Sequence, residues 1–245
     1  MAGRLADRVA LVTGASRGIG AAIARAYAAE GAHLILVARD VARLEALDDE
    51  IGALGGSATL VPLDLADWAA IDGLAKPILD RWGRLDILVG NAGQLGQLSP
   101  MGHFPPEVWE QVFKVNVHAN WRLIRALDPL LRAAPAGRVL FVTSGITRNL
   151  QPYWGLYAAT KAALEAMAVS YALELKQTQV KVNLINPGVT RTEMRAAAFP
   201  GEDPATLPAP ADRMEPFIAA VEPGFDGHGL WIPADQWPKP GEKPH

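Results

Sequence analysis

The chain has 245 residues, 50% of them hydrophobic and 20% charged, and carries a formal net charge of −3. That composition suits one α/β domain with a sizeable core and offers no basic footprint for nucleic acid. It contains no cysteine, which excludes disulfides, thiolate nucleophiles and cysteine–zinc sites. Charges interrupt every apolar run before a membrane span is reached, and the opening Met-Ala-Gly-Arg-Leu-Ala-Asp-Arg lacks the apolar stretch of a secretory signal. No membrane partner and a cytoplasmic location are therefore expected.

Residues 9–13 read as a first strand that opens into Thr13-Gly-Ala-Ser-Arg-Gly-Ile-Gly20, followed by a helix over 19–30 that stops at Gly31. A strand at 33–37 leads into a helix over 41–54, with Leu44, Leu47, Ile51 and Leu54 at helical spacing before Gly55-Gly56. Strands at 58–61, 85–89, 138–142 and 180–185 then alternate with helices at 68–82, 106–132 and 157–176. Most strands are near-continuous apolar runs, as expected of strands covered on both faces. This alternation predicts an α/β fold with a single Rossmann-type doubly wound parallel β-sheet flanked by helices on both faces, spanning 1–245 as one domain. The last quarter departs from the pattern. It reads as a substrate loop over about 189–212, a short helix over 211–221, a last strand at 229–232 and an irregular Pro-rich tail over 233–245.

Gly14, Gly18 and Gly20 fall between the first strand and the first helix. Glycine there permits a tight turn and lets a pyrophosphate approach the amides at the helix N-terminus. Gly14-Ala-Ser16-Arg-Gly18 also fits the G-x-S-x-G elbow of hydrolases, with Asp226 and His228 as acid and base. That reading ranks last, because an elbow normally follows several strands and only one precedes this one. An acidic residue after the second strand would bind a ribose 2′-hydroxyl, but the chain has Ala38-Arg39 there and Arg17 in the glycine turn. Two arginines can clamp a 2′-phosphate with charge-assisted bonds of about 1.5–3 kcal/mol each. Allowing for exposure, NADP(H) is expected over NAD(H) by roughly ten- to a thousand-fold, with Asp40 working slightly against it.

Tyr157-Ala-Ala-Thr-Lys161 carries the chemistry. One helical turn apart, Tyr157 and Lys161 share a face. A phenol titrates near pH 10, and a neighbouring ammonium is expected to lower that value enough for acid–base work. Ser144, at the end of the fifth strand, can donate a hydrogen bond to a carbonyl oxygen or its developing alkoxide. Asn116, between Val115 and Val117, is a poor helix-interior residue and so calls for a reason.

These motifs occur in the order seen in the short-chain dehydrogenase/reductase family of NAD(P)-dependent oxidoreductases, which the chain resembles from about Arg8 to Thr192. The resemblance implies that Tyr157 protonates the alkoxide in carbonyl reduction, Lys161 binds the nicotinamide ribose and Ser144 orients the carbonyl. It implies that Asn116 supports a proton-relay water. For the cofactor it points to Gly14, Ser16, Arg17, Gly18, Ile19 and Gly20 in the glycine turn, with Arg39 for the 2′-phosphate and Asp64-Leu65 against the adenine. Asn91-Ala92-Gly93 would close the fourth strand, and Pro187-Gly188, Thr190 and Thr192 would hold the nicotinamide together with Tyr157 and Lys161. Gly90 stands where many relatives carry a second Asn and is expected to make room for the cofactor. The C-terminus lacks the glycine-rich, aspartate-containing ending common in the family.

The substrate is expected to be a small carbonyl compound or alcohol, ketone or 3-oxoacyl in type, met by Gln94, Leu95, Ile146, Tyr153, Trp154 and Met194, with Phe199 nearby. Arg148 could pair with a carboxylate or phosphate. No metal is expected, since the five histidines are scattered. The resemblance implies a homodimer or homotetramer through the helices at 106–132 and 157–176, where Ala158, Ala162, Ala163 and Ala166 permit close approach. A non-catalytic NADP sensor is the competing reading, disfavoured because a sensor needs only the glycine turn.

Overall fold

The computed structural model describes residues 3–238. Its strands are β1 (Val9–Thr13), β2 (His33–Ala38), β3 (Ser57–Pro62), β4 (Ile87–Gly90), β5 (Arg138–Val142), β6 (Lys181–Asn186) and β7 (Trp231–Pro233). All pair in parallel in one sheet of order β3-β2-β1-β4-β5-β6-β7. The sequence-based reading of a doubly wound parallel sheet is what the structure has.

The alternation of side chains along β1 builds two cores. Ala10 and Val12 join Ile23 and Tyr27 of α1 (Gly18–Ala29), Leu44 and Ile51 of α2 (Val41–Ala53) and Phe217 of α9 (Met214–Ala219) on one face. Val9 and Leu11 join, on the other face, Ile71 of α3 (Trp68–Asp72), Ile78 of α4 (Ala75–Trp82), Leu123 of α6 (Ala119–Ala133) and Leu164 of α7 (Gly155–Glu174). Burial on both faces is why these strands are apolar at nearly every position. The strand order reverses between β1 and β4, and the loops leaving their C-terminal ends diverge into a crevice, the usual ligand position in such sheets.

Three expected elements differ in detail. The helix over 68–82 is two, α3 and α4, because Pro77 has no N–H to offer the Gly73 carbonyl one turn earlier. The helix over 106–132 is α5 (Pro106–Phe113) and α6, joined by a π-helical turn at Lys114–His118 that contains Asn116. Within 189–212, read as loop, lies α8 (Glu193–Ala198), capped by the Thr192 hydroxyl accepting from Arg195 N at 3.1 Å. The tail also begins later than 233: Pro233 ends β7 and Ala234–Gln236 forms a 3₁₀ turn. Residues 239–245 lie outside the described residues.

Candidate functional site

The Thr13 hydroxyl donates to the Val89 carbonyl oxygen at 3.2 Å and accepts from the amides of Asn91 (3.0 Å) and Ala92 (3.1 Å). Asn91 Nδ2 returns a bond to the Thr13 carbonyl oxygen at 2.8 Å. These bonds fasten the ends of β1 and β4 where the strand order reverses. Gly14 (φ +65°) and Gly18 (φ +56°) take left-handed backbone in the turn that follows, and a Cβ on Gly20 would run into the Gly14 carbonyl. Arg17 occupies the N-cap of α1 without a side-chain capping bond, so no side chain covers the first amides of this helix. Glycine cradle and uncapped helix end together suit a pyrophosphate.

A cavity of about 560 Å³ opens above this turn. Gly14, Ser16, Arg17, Gly18, Ile19 and Gly20 form one wall, and Arg39, Asp64 and Leu65 its outer end. Asn91, Ala92 and Gly93 line the middle, and Tyr157, Lys161, Pro187 and Thr192 the inner end. Of the residues expected to hold the cofactor, Gly188 and Thr190 alone do not line it. Thr190 is buried, its hydroxyl donating to the carbonyls of Pro187 (3.4 Å) and Gly188 (3.3 Å), and Gly188 (φ +72°) is pressed against Asp235. They shape the turn behind Pro187 instead of facing the cavity.

Ser144 begins a 3₁₀ turn (Gly145–Thr147), and its Oγ accepts from Ile146 N at 3.3 Å. The same hydroxyl lies near enough to the Tyr157 phenol to favour its ionised form. Lys161 is 3% exposed and donates to the Val142 carbonyl oxygen at 2.8 Å, with Nζ 5.7 Å from the centre of the Tyr157 ring. Here the electrostatics depart from expectation. Burial, not the ammonium, dominates Tyr157: its pKa is pushed up to about 12, with the neighbouring Ser144 hydroxyl pulling it back. Burial likewise pushes Lys161 down to about 8, against the attraction of Glu165. The phenol therefore holds its proton near neutral pH.

Asn116 is fully buried at the π-helical turn. Its Oδ1 accepts from Gln94 N at 2.8 Å, and its Nδ2 donates to the Gln94 carbonyl oxygen and to Thr160 Oγ1, both at 2.9 Å. Its own carbonyl oxygen accepts from Asn120 Nδ2 at 2.9 Å. The side chain thus fixes the Gln94 backbone to α7, which accounts for an asparagine inside a helical segment. Gly90 does not make room for a cofactor: a Cβ there would collide with Asn120 Oδ1 and the Phe141 ring.

A model described as short chain dehydrogenase matches residues 8–203. The chain belongs to the short-chain dehydrogenase family. It is 41% identical over 243 residues to the uncharacterized oxidoreductase YciK of Escherichia coli strain K12, covering 97% of this chain and 95% of that one. A short chain dehydrogenase of Shigella flexneri 2a str. 301, solved in complex with NADP, superposes with a TM-score of 0.92 at 39% identity, covering 96% of this chain and all of that one. Another, from Escherichia coli CFT073 in complex with NADPH, gives 0.89 at 40% identity, covering 96% and 99%.

Of the residues expected to meet a substrate in this short-chain dehydrogenase, Gln94, Leu95 and Met194 line the cavity. Ile146 and Trp154 do not; they pack with Tyr157 in a small apolar cluster. Tyr153, 60% exposed with φ +72°, sits outside the cavity wall, its carbonyl accepting from Ser99 N at 3.0 Å. His228 of the hydrolase reading is committed to the fold, bonding Val182 N (3.2 Å) and the Ala172 carbonyl oxygen (2.7 Å) through its two ring nitrogens. Among the described residues no group of three His, Asp or Glu side chains could hold a metal, and no helix is long and apolar enough to cross a membrane.

Sequence reasoning missed three charged residues of the dehydrogenase. Glu165, one turn beyond Lys161, is 8% exposed; its Oε1 accepts from Thr143 Oγ1 (2.6 Å), Thr147 Oγ1 (2.8 Å) and Trp231 Nε1 (2.9 Å). Its Oε2 lies 3.2 Å from Arg148 Nη1, so Arg148 already has a carboxylate partner. The stripe Tyr157, Lys161, Glu165 at helical spacing was the available signal. Glu193 and Arg43, at the cavity mouth, gave none, because they meet through the tertiary structure.

Proposed function

We propose that this chain is an NADP(H)-dependent oxidoreductase interconverting a ketone or 3-oxoacyl-type carbonyl and a secondary alcohol, with Tyr157 as general acid and base. The observation that carries this reading is the convergence of Tyr157 and Lys161 on the cavity that the glycine turn also lines. Bound NADPH would supply the hydride. Ser144 and Tyr157 would both donate to the substrate oxygen, and Tyr157, protonated at neutral pH, would pass its proton to the alkoxide. Lys161, held by the Val142 carbonyl, would hold the ribose hydroxyls and counter the charge left on the phenolate. Asn116 would set the Gln94 backbone at the substrate end.

Arg17 and Arg39 line the outer end of the cavity, which supports NADP(H), as does the NADP or NADPH in the related structures. Asp40, which works slightly against them, caps α2 by accepting from Arg43 N at 3.1 Å and pairs with Arg43 Nε at 3.3 Å. A panel of ketones followed by nucleotide absorbance tests the reading: turnover with NADPH is expected at a kcat/KM at least about ten-fold above NADH. Equal values would remove the assignment of Arg17 and Arg39, and no turnover of any carbonyl would remove the activity.

The exposed side of α7 carries Ala162, Ala166, Val169 and Leu173, a small apolar strip suited to a second copy. The proposed assembly is a cytoplasmic homodimer or homotetramer built through α5, α6 and α7. Sedimentation should give two or four chains per particle; a monomer at micromolar concentration would exclude this.

A further inference from the structure

Glu193, the first residue of α8, reaches across the cavity mouth toward the glycine turn. Its Oε1 accepts from Arg43 Nη1 at 3.0 Å, and its Oε2 accepts from Arg17 Nη1. These partners, Arg43 foremost, hold its carboxyl below the usual carboxylate range. Two guanidinium groups from different elements thus converge on one anion beside the end of β2, where Arg39 also projects. Arg39 has only a distant partner, with Asp64 Oδ2 at 3.9 Å. A phosphate monoester carries more charge than a carboxylate and a third acceptor oxygen, so it can bond several guanidinium groups at once.

We propose that Glu193 is a resident stand-in for the 2′-phosphate of NADP(H), keeping Arg17 and Arg43 aimed at the cavity mouth until the phosphate displaces it. The inference rests on the NADP(H) reading above. Arg43 becomes a third 2′-phosphate ligand beside Arg17 and Arg39. Glu193 becomes the residue that sets how strongly NADP(H) is preferred. The side chains of Glu193, Arg17 and Arg43 are 58%, 59% and 46% exposed, so their ion pairs are weak enough to exchange. NAD(H) has only a hydroxyl at this position and leaves Glu193 in place. A ligand shifts such an equilibrium only by its differential affinity, so Glu193 penalises the phosphorylated dinucleotide alone.

Calorimetric titration of the full chain with 2′,5′-ADP and with 5′-AMP tests this. Glu193→Gln is expected to tighten 2′,5′-ADP about ten-fold while changing 5′-AMP by less than about two-fold, and adding Arg43→Gln should remove the gain. Unchanged 2′,5′-ADP affinity in Glu193→Gln, equal tightening of both nucleotides, or a gain that survives Arg43→Gln would overturn the displacement. Failure of the wild-type protein to distinguish the two nucleotides would instead overturn the underlying cofactor reading.

Discussion

Replacing Tyr157 with Phe is expected to lower kcat for carbonyl reduction by about a thousand-fold while leaving the NADPH dissociation constant within about two-fold. The change deletes one oxygen and keeps the ring, which packs with Ile146, Ala158, Leu95, Trp154 and Met194. The fold should lose no more than about 1 kcal/mol, because the packed ring is unchanged. A thousand-fold is the scale on which a positioned general acid contributes, and the other acids lining the cavity, Asp64 and Glu193, face arginines. Steady-state rates with NADPH, alongside fluorescence titration of the nucleotide, separate the two effects. A variant retaining a tenth of wild-type turnover would transfer the acid role away from Tyr157. A variant that no longer bound NADPH would show that the hydroxyl serves the nucleotide more than the proton.

The second large effect separates activity from stability. Lys161→Met is expected to reduce turnover about a hundred-fold or more, yet to leave the protein at pH 7 as stable as wild type or slightly more so. Burial lowers the ammonium from the ordinary 10.5 to about 8, a penalty on the order of 3 kcal/mol while Lys161 is charged. Methionine removes that penalty with a side chain of similar length, and forfeits the bond to the Val142 carbonyl, about 1–3 kcal/mol for a buried acceptor left alone. The balance is zero to about 2 kcal/mol of stabilisation, or up to roughly 4 °C in Tm for a chain this long.

The pH dependence identifies the cause. Below pH 8 both folded and unfolded chains carry the proton and the whole penalty applies. Between about 8 and 10.5 the unfolded chain binds the extra proton, so stability rises with pH. Differential scanning calorimetry at pH 7 and pH 9.5 should show that rise in the wild type and its loss in Lys161→Met. A variant less stable by 2 kcal/mol at pH 7 would mean that the buried ammonium stabilises the fold on balance.

Much of this architecture could be read along the chain because the signals are local. Apolar strands such as Val9–Thr13, helical spacing of Leu44, Leu47 and Ile51, and glycines at Gly14, Gly18 and Gly20 depend on backbone period and sterics alone, and these order the parallel sheet and its phosphate-binding turn. Tyr157 and Lys161 were legible for the same reason, being one turn apart on a helix. The break at Gly73 also has a local cause, in Pro77.

What spacing does not encode is which distant groups share a space and how much water they keep. Burial reversed the expected acidity of Tyr157, since desolvation depends on everything packed around the ring and not on the nearest charge in sequence. The use of Gly90 was settled by Phe141 and Asn120, side chains from β5 and α6. The meeting of Arg17, Arg43 and Glu193 requires the chain from β6 to return across the mouth of the first crossover. The sequence by itself determined the period, the turn and the residues able to do acid–base chemistry. Tertiary structure alone decided their dielectric surroundings and their charged neighbours, because both are sums over atoms brought together by folding.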